Sequence, residues 1–399
     1  MGMITLQKVR PGYKQTEAGV IPVDWGLETL GSLVRHHNAG VYKKRELYGR
    51  GSNIVGVSDL YGVQNVDGQV FALVPISELE RAKYTLEAGD LLYGESSLVR
   101  EGIARTVYVT TQGAGTAFAW HTRRYSINQT ALISAYLSYY LQTGPARKHM
   151  MDQSIQTAIT GINTVAYFAC LIPIPPVAEQ RSIAAALSDV DDLIDALDKL
   201  IAKKRELKQA AMHQLLTGEC RLPGFTEEWV QRKVGQIAPL QRGFDLPTSR
   251  IKPGNYPVVY SNGILNYHCQ YMVKEPGVVT GRSGTIGKVS YIEENFWPHN
   301  TSLWVTSFKG NNPKFIFFLY SFIGFEQFGT GSGVPTLNRN DVHAFEVSFP
   351  NDPTEQRAIA TVLSDMDAEI ATLEQRRDKT RALKHGMMQE LLTGKTRLI

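Results

Sequence analysis

The sequence predicts an α+β protein: two globular α/β domains separated by two long helices that form an antiparallel coiled coil, with a pseudo-two-fold internal repeat. Three observations lead there. The segment Glu179–Leu222 returns as Glu355–Leu398, ungapped over 44 positions with 22 identities, where chance gives roughly one in twenty. Neither copy contains proline. What precedes each copy differs, and reads as short β-branched and aromatic runs between Gly, Asn and Asp turns.

The first 175 residues predict the first globular domain. Its strand-like runs include Gly68–Val74 and Arg105–Thr110, with a helix over Ala131–Leu141 and a closing strand at Leu171–Pro175. Residues 176–218 are the first long helix, ended by Leu-Leu-Thr-Gly218. Residues 219–350 form the second domain, with strands at Gly277–Gly281 and Lys288–Ile292, a helix over Pro313–Ile323 and a last strand at Val347–Pro350. Residues 351–399 are the second long helix, opened by Asp352 as N-cap and Pro353 in the first turn, and stopped at Gly394.

One face of each copy is apolar at coiled-coil spacing. In the first it runs Ile183, Leu187, Val190, Ile194, Leu197, Ile201. In the second it runs Ile359, Leu363, Met366, Ile370, Leu373, breaks at Arg377, and resumes at Leu383, Met387 and Leu391. Each copy is acidic in its first half and basic in its second. Antiparallel pairing sets acid against base, whereas parallel pairing would face like charges. The plainer alternative is that each helix packs only on its own domain. The duplication is also circular. Arg221-Leu-Pro-Gly-Phe225 and Trp229 follow the first helix, and Arg10-Pro-Gly-Tyr13 and Trp25 near the N-terminus read like the continuation of Thr396-Arg397-Leu398.

Composition and motifs narrow the chemistry. Hydrophobic residues make up 43% and charged residues 20% of 399, with net charge +4, ordinary for a globular protein. No apolar run approaches a membrane span or a secretory leader. Cys170, Cys220 and Cys269 fit neither a disulfide framework nor a CxxC metal site, so a reducing, cytoplasmic setting is expected. Gly281–Val289 imitates a P-loop, but has five residues between its glycines instead of four and Val289 in place of Ser or Thr. Phe328–Gly333 imitates a cofactor loop without a surrounding βαβ unit. No Asp/Asn-Pro-Pro-aromatic motif, metal-ligand spacing or catalytic constellation is present, so no metal, cofactor or catalytic residue is expected in this chain. The cationic excess lies on the domains, +3 for 1–175 and +2 for 219–350, against −1 and 0 for the helices, as phosphate binding requires.

These motifs resemble the specificity subunit of type I restriction–modification systems. The resemblance is carried by the paired EQR-x-IA-x-x-L-S-D-x-D…LLTG helices and by the phrases Pro11-Gly-Tyr-Lys…Trp25 and Pro223-Gly-Phe-Thr…Trp229. Ala88-Gly-Asp-Leu-Leu…Ser96-Ser-Leu-Val-Arg100 and Gly281–Lys288 also fit, and the match covers nearly the whole chain. The resemblance implies a non-catalytic subunit that binds a bipartite double-stranded DNA target, one half-site per domain. It also implies docking of two modification subunits, which bind S-adenosylmethionine and methylate adenine, and of restriction (motor-nuclease) subunits. Half-sites sit a fixed distance apart, a constraint that a rigid spacer meets. A non-enzymatic adaptor pairing protein partners without DNA is the alternative.

Sequence readout needs cations for phosphates and Arg, Asn, Ser or Thr at base edges. The candidates in the first domain are Lys43, Lys44, Arg45, Arg50, Ser97, Arg100, Arg105, Arg123 and Arg124. In the second they are Arg242, Arg250, Lys252, Asn262, Arg282, Ser283, Thr285, Lys288, His299 and Asn300. Aligning Gly102–Arg105 with Thr285–Lys288 places a cation at one position of both domains. Tyr and Trp are expected mainly in the cores.

Overall fold

The structure is a computed structural model that describes residues 10–330 and 335–399. The glycines at 331 and 333 of the cofactor-loop imitation lie outside the described residues. The chain divides into two compact units, Met1–Ala196 with Asp378–Ile399, and Leu197–Arg377. Each unit thus owns one globular domain and half of each long helix.

The first long helix runs Val177–Thr217 and the second Pro353–Leu391, about 60 Å each at 1.5 Å per residue. Asp352 accepts the Thr354 N–H at 2.8 Å ahead of Pro353, a cap followed by a proline whose missing N–H costs nothing there. Gly218 and Gly394 end the helices at φ +79° and +70°. A Cβ at Gly218 would come within 3.0 Å of Trp229, and one at Gly394 within 2.5 Å of Pro22 and 3.1 Å of Trp25. Both positions therefore need glycine twice over, for the left-handed turn and for the close approach.

In the first unit, the central sheet has the order Val34–Ala39, Thr122–Ile127, Leu91–Gly94, Thr106–Val109, Asn65–Val66. All neighbours are antiparallel except the last pair. In the second unit, the order is Leu240–Arg242, Ser302–Val305, Gly277–Gly281, Val289–Ile292, antiparallel throughout. The middle strands Leu91–Gly94 and Gly277–Gly281 are buried at every residue, which is why they read as unbroken apolar or small runs. A smaller sheet accompanies each. Ser52–Val55 lies parallel to Ala117–Phe118, and Tyr256–Tyr260 parallel to Trp297–Pro298. The Gly68–Val74 run becomes a strand only over Ala72–Val74, and the helix expected at Ala131–Leu141 covers Ser134–Tyr140.

Each unit closes its core over the two helix segments it contains. Ile183, Leu187, Leu391 and Leu392 pack with Trp25, Tyr136 and Tyr167 in the first. Ile359, Leu363, Leu215 and Leu216 pack with Phe315, Phe318 and Tyr320 in the second. Ile194, Leu197, Ile201 and Ile370 are buried; Val190, Met366 and Leu373 are half-buried. Packing on the domain and packing on the other helix are thus both realised within a unit. One expectation fails: Leu383 is 59% exposed. The heptad instead continues from Ile370 and Leu373 through Arg377, Thr380 and Lys384 to Met387, without a break. Lys384 is 9% exposed and its ammonium is held by Asp191 at 2.6 Å.

Within each unit the helix segments run antiparallel. In the first, Asp191 meets Lys384 and Glu179 meets Arg397. In the second, Asp198, Lys204 and Lys208 meet Arg377, Glu369 and Asp367, so numbers rise along one helix as they fall along the other. The acid-to-base polarity of the sequence is thereby used in the sense expected. The chain entry and exit segments tie to the same helices. Arg221 grips Glu355 through Nε and Nη2 at 2.6 and 2.8 Å, and Trp229 Nε1 donates to the same carboxylate at 3.2 Å. Arg397 grips Glu179 at 2.6 and 2.8 Å, and Trp25 Nε1 donates to it at 3.1 Å. This is the circular duplication in side-chain form: each helix begins on a carboxylate claimed by the arginine that follows the other helix.

Cys170 is buried and its thiol is pushed up to about 12 by that burial, whereas Cys220 and Cys269 are exposed. Because the thiolate is the reactive form, two thiols are expected to react promptly with a disulfide reagent in the native protein and the third only after denaturation. Three equal rates in the native state would contradict the fold.

Candidate nucleic-acid interface

The two domains share one scaffold, and backbone hydrogen bonds give the correspondence residue by residue. Val41 N–H donates to Phe118 O at 3.0 Å and Phe244 N–H to Pro298 O at 2.8 Å; Gly40 N–H donates to Thr122 O and Gly243 N–H to Ser302 O, each at 3.0 Å. A Cβ at Gly40 would sit 2.1 Å from Ala119 O, and one at Gly243 2.2 Å from His299 O. Only glycine permits that approach, so the two glycines mark one place in two domains. Gly94 pairs with Thr122 as Gly281 pairs with Ser302. It follows that Tyr42 answers to Asp245, Glu95 to Arg282, Ser96 to Ser283, Arg105 to Lys288, Ala119 to His299, Trp120 to Asn300 and His121 to Thr301. The alignment of Arg105 with Lys288 made from the sequence is reproduced: Gly94 N–H reaches Arg105 O, and Gly281 N–H reaches Lys288 O.

In the second unit the candidates converge. Asp245 accepts from both Arg242 Nη2, at 3.2 Å, and Asn300 Nδ2. His299 Nδ1 lies 3.0 Å from Thr301 Oγ1, and its ring tilts against Tyr260 with centroids 4.2 Å apart. Burial lowers the His299 pKa, which favours the neutral ring. Thr301 O accepts the Arg282 N–H at 2.8 Å, and Ser283 N–H donates to it at 3.2 Å. Thr301 Oγ1 accepts the Ser261 N–H at 3.3 Å, and next to Ser261, Lys288 Nζ donates to Asn262 O at 3.1 Å. Arg242, Asn262, Thr285 and Lys288 are exposed and Arg282, Ser283, His299 and Asn300 are half-buried. The result is a polar, cationic surface at one end of the sheet, with donors and acceptors both available. Arg250 and Lys252 are exposed on the loop beyond it.

In the first unit the candidates part company. Arg105 donates to Leu60 O, Val63 O, Gln64 and Gln142, and burial lowers its pKa. Arg123 is held by Glu95 at 2.7 Å. Arg124 is held by Asp90 at 3.6 Å, Asn38 and the Thr85 carbonyl. Lys43 is paired with Glu80 at 2.7 Å, its side chain 12% exposed. These four cations brace the domain. Ser97 is buried, its Oγ accepting the Val99 N–H, and Arg100 spends its guanidinium on Met151 O. Lys44, Arg45 and Arg50 remain exposed, with no ion-pair partner among the described residues.

Most Tyr and Trp side chains lie in or against the cores as expected, but one exposed pair stands out. Tyr42 and Trp120 are 66% and 52% exposed and meet edge-to-face with centroids 6.2 Å apart. Tyr42 stands two and three residues before the exposed cations Lys44 and Arg45 in the chain. Sequence reading assigned such residues to the core because most aromatics are there, as Trp25, Tyr93 and Tyr125 are. The signal that finds them is the shared Gly40/Gly243 register.

The comparisons agree on one family. A family model described as the type I restriction modification DNA specificity domain matches residues 22–209 and 226–380. The putative type I restriction enzyme MjaX specificity subunit of Methanocaldococcus jannaschii is 23% identical over 424 aligned residues, covering 97% of each chain. The StySPI specificity subunit of Salmonella potsdam is 21% identical over 52% of this chain and 44% of that protein. Among solved structures, the type I restriction-modification S subunit from M. genitalium superposes with a TM-score of 0.63 at 14% identity, covering 92% of this chain and 96% of that one. A chain from a study of complex assembly in the type I R-M system gives 0.58 at 13% identity, covering 94% and 99%. With a matched segment spanning each domain and most of the helix after it, the chain belongs to the specificity-subunit family of type I restriction–modification systems.

Proposed function

We propose that this chain binds a bipartite duplex DNA target, each unit reading one half-site, and that its helices fix the half-site separation and dock modification and restriction subunits. The observation that carries the reading is the pair of register-matched surfaces: one scaffold built twice, with different side chains at the same exposed places. A reader of two unlike half-sites needs that arrangement, because phosphate contacts position a protein while base-edge contacts specify. On this reading the chain is cytoplasmic and performs no catalysis. S-adenosylmethionine belongs with the modification subunits, and methylation and cleavage are theirs and the restriction subunits'. Each helix begins on the same Glu–Arg–Trp arrangement, so the repeat offers one kind of partner two equivalent places to dock.

The test is a gel-shift series with the chain and its modification subunits on a duplex carrying the target. The logarithm of the affinity is expected to fall steeply and linearly with the logarithm of salt concentration, as counterion release demands. Affinity independent of salt would favour the protein-adaptor alternative. Arg282→Ala is expected to weaken binding several-fold while leaving the melting temperature within about 1 °C, since the half-buried guanidinium has no partner among the described residues. Unchanged affinity would remove Arg282 from the interface.

A further inference from the structure

The backbone register sets Tyr42 and Trp120 of the first domain on the positions that Asp245 and Asn300 hold in the second. In both domains these two positions touch each other: the aromatic rings edge-to-face, the polar pair by a hydrogen bond from Asn300 Nδ2 to Asp245. Both pairs are accessible. Tyr42 and Trp120 are more than half exposed and the Asp245 side chain is 69% exposed. Neither pair supports a core, so folding does not explain either choice of residues. An exposed carboxylate on a DNA-facing surface works against phosphate, and an exposed tryptophan costs hydration. Each is a liability that needs a ligand to offset it.

Resting on the reading above, we infer that these register-matched pairs set the base preference of the two half-sites, and that they do so by different chemistry. Arg242 and Asn300 both donate to Asp245 Oδ1, which leaves Oδ2 as an acceptor. Asn300 keeps its carbonyl and one N–H. Together they present acceptors beside a donor, which suits a base edge carrying an amino group, adenine or cytosine. Thymine and guanine offer mainly acceptors in the major groove and would face the carboxylate unpaired. The Tyr42–Trp120 pair offers apolar faces, with no carboxylate or amide, and suits the thymine methyl. The charge reversal next to the pairs, Glu95 tied to Arg123 against an untied Arg282, further separates the two surfaces.

The experiment maps methylated sites on a mixed-sequence genome for the full chain assembled with its modification subunits. Asn300→Ala and Asp245→Ala are expected to relax discrimination by about tenfold or more at one base pair of one half-site. Trp120→Ala and Tyr42→Ala are expected to relax one base pair of the other. Trp120→Phe keeps an apolar ring and is expected to retain the preference; Asn300→Ser keeps a polar group but loses the paired geometry and is expected to relax it. These two conservative variants are also read where an alanine variant lowers the melting temperature. Relaxation at neither half-site, or both pairs affecting the same half-site, overturns the inference while leaving the bipartite reading intact. A parent complex that methylates without any bipartite sequence preference sinks the bipartite reading itself.

Discussion

Leu187→Arg is expected to cost at least ~4 kcal/mol and to abolish the cooperative unfolding of the first unit. Leu187 is fully buried, packed with Ile183, Trp25, Tyr136, Tyr139 and Leu391 in a core shared by the domain and both helix segments. The carboxylates nearest the cluster are already engaged, Asp191 by Tyr139 and Lys384 and Glu179 by Trp25 and Arg397, and a guanidinium there displaces apolar contacts on two sides at once. The control is Leu193→Arg in the same helix, where the side chain is 39% exposed. That change is expected to stay within about 0.5 kcal/mol. Calorimetry of the two variants separates them. Similar melting curves would mean that the seam does not carry the first unit.

Glu355→Ala is expected to destabilise the second unit by about 3 kcal/mol, the lower end for a broken buried pair because Arg221 keeps some access to water. The Glu355 side chain is 1% exposed and that of Arg221 26%. Removing the carboxylate leaves a guanidinium that has already given up much of its hydration, and strips Trp229 Nε1 of its acceptor. Arg221→Ala should cost a comparable amount, and the double variant much less than the two together. The first unit offers the same test through Glu179 and Arg397. There Arg397 also holds the Asp24 carboxyl below its usual range. Asp24 therefore adds stability above the ordinary carboxylate pKa and loses it as pH falls through the lowered folded value. Additive single and double effects in calorimetry would show that the arginines act independently of the carboxylates.

The long helices were legible because three strong local signals coincide in them: periodicity, proline exclusion and glycine stops. Their antiparallel sense was legible from charge order alone. The stretch around Arg377 was misread for an identifiable reason. A search for apolar residues at heptad spacing skips Thr380 and Lys384, yet a lysine can occupy a seam position when an acid such as Asp191 meets it. The domains were less open to reading. Their sheets are made of strands two to six residues long, and the pairing of Leu91–Gly94 with both Thr106–Val109 and Thr122–Ile127 is a long-range fact. The candidate interface was half legible. Counting cations led to residues that converge on one surface of the second domain, but a count cannot tell the exposed Lys44 from the braced Arg105, Arg123 and Arg124. Tyr42 and Trp120 carry no sequence mark of exposure. They become visible only when Gly40 and Gly243 are seen to hold the same strand crossing.

The most direct measurement of the account is methylation mapping after residues 223–350 are replaced by the corresponding domain of another specificity subunit. With two independent readers on a common spacer, one half of the recognised sequence changes while the other half and the separation between them stay as they were. A recognised sequence that stays the same in both halves, or changes in both, would contradict it.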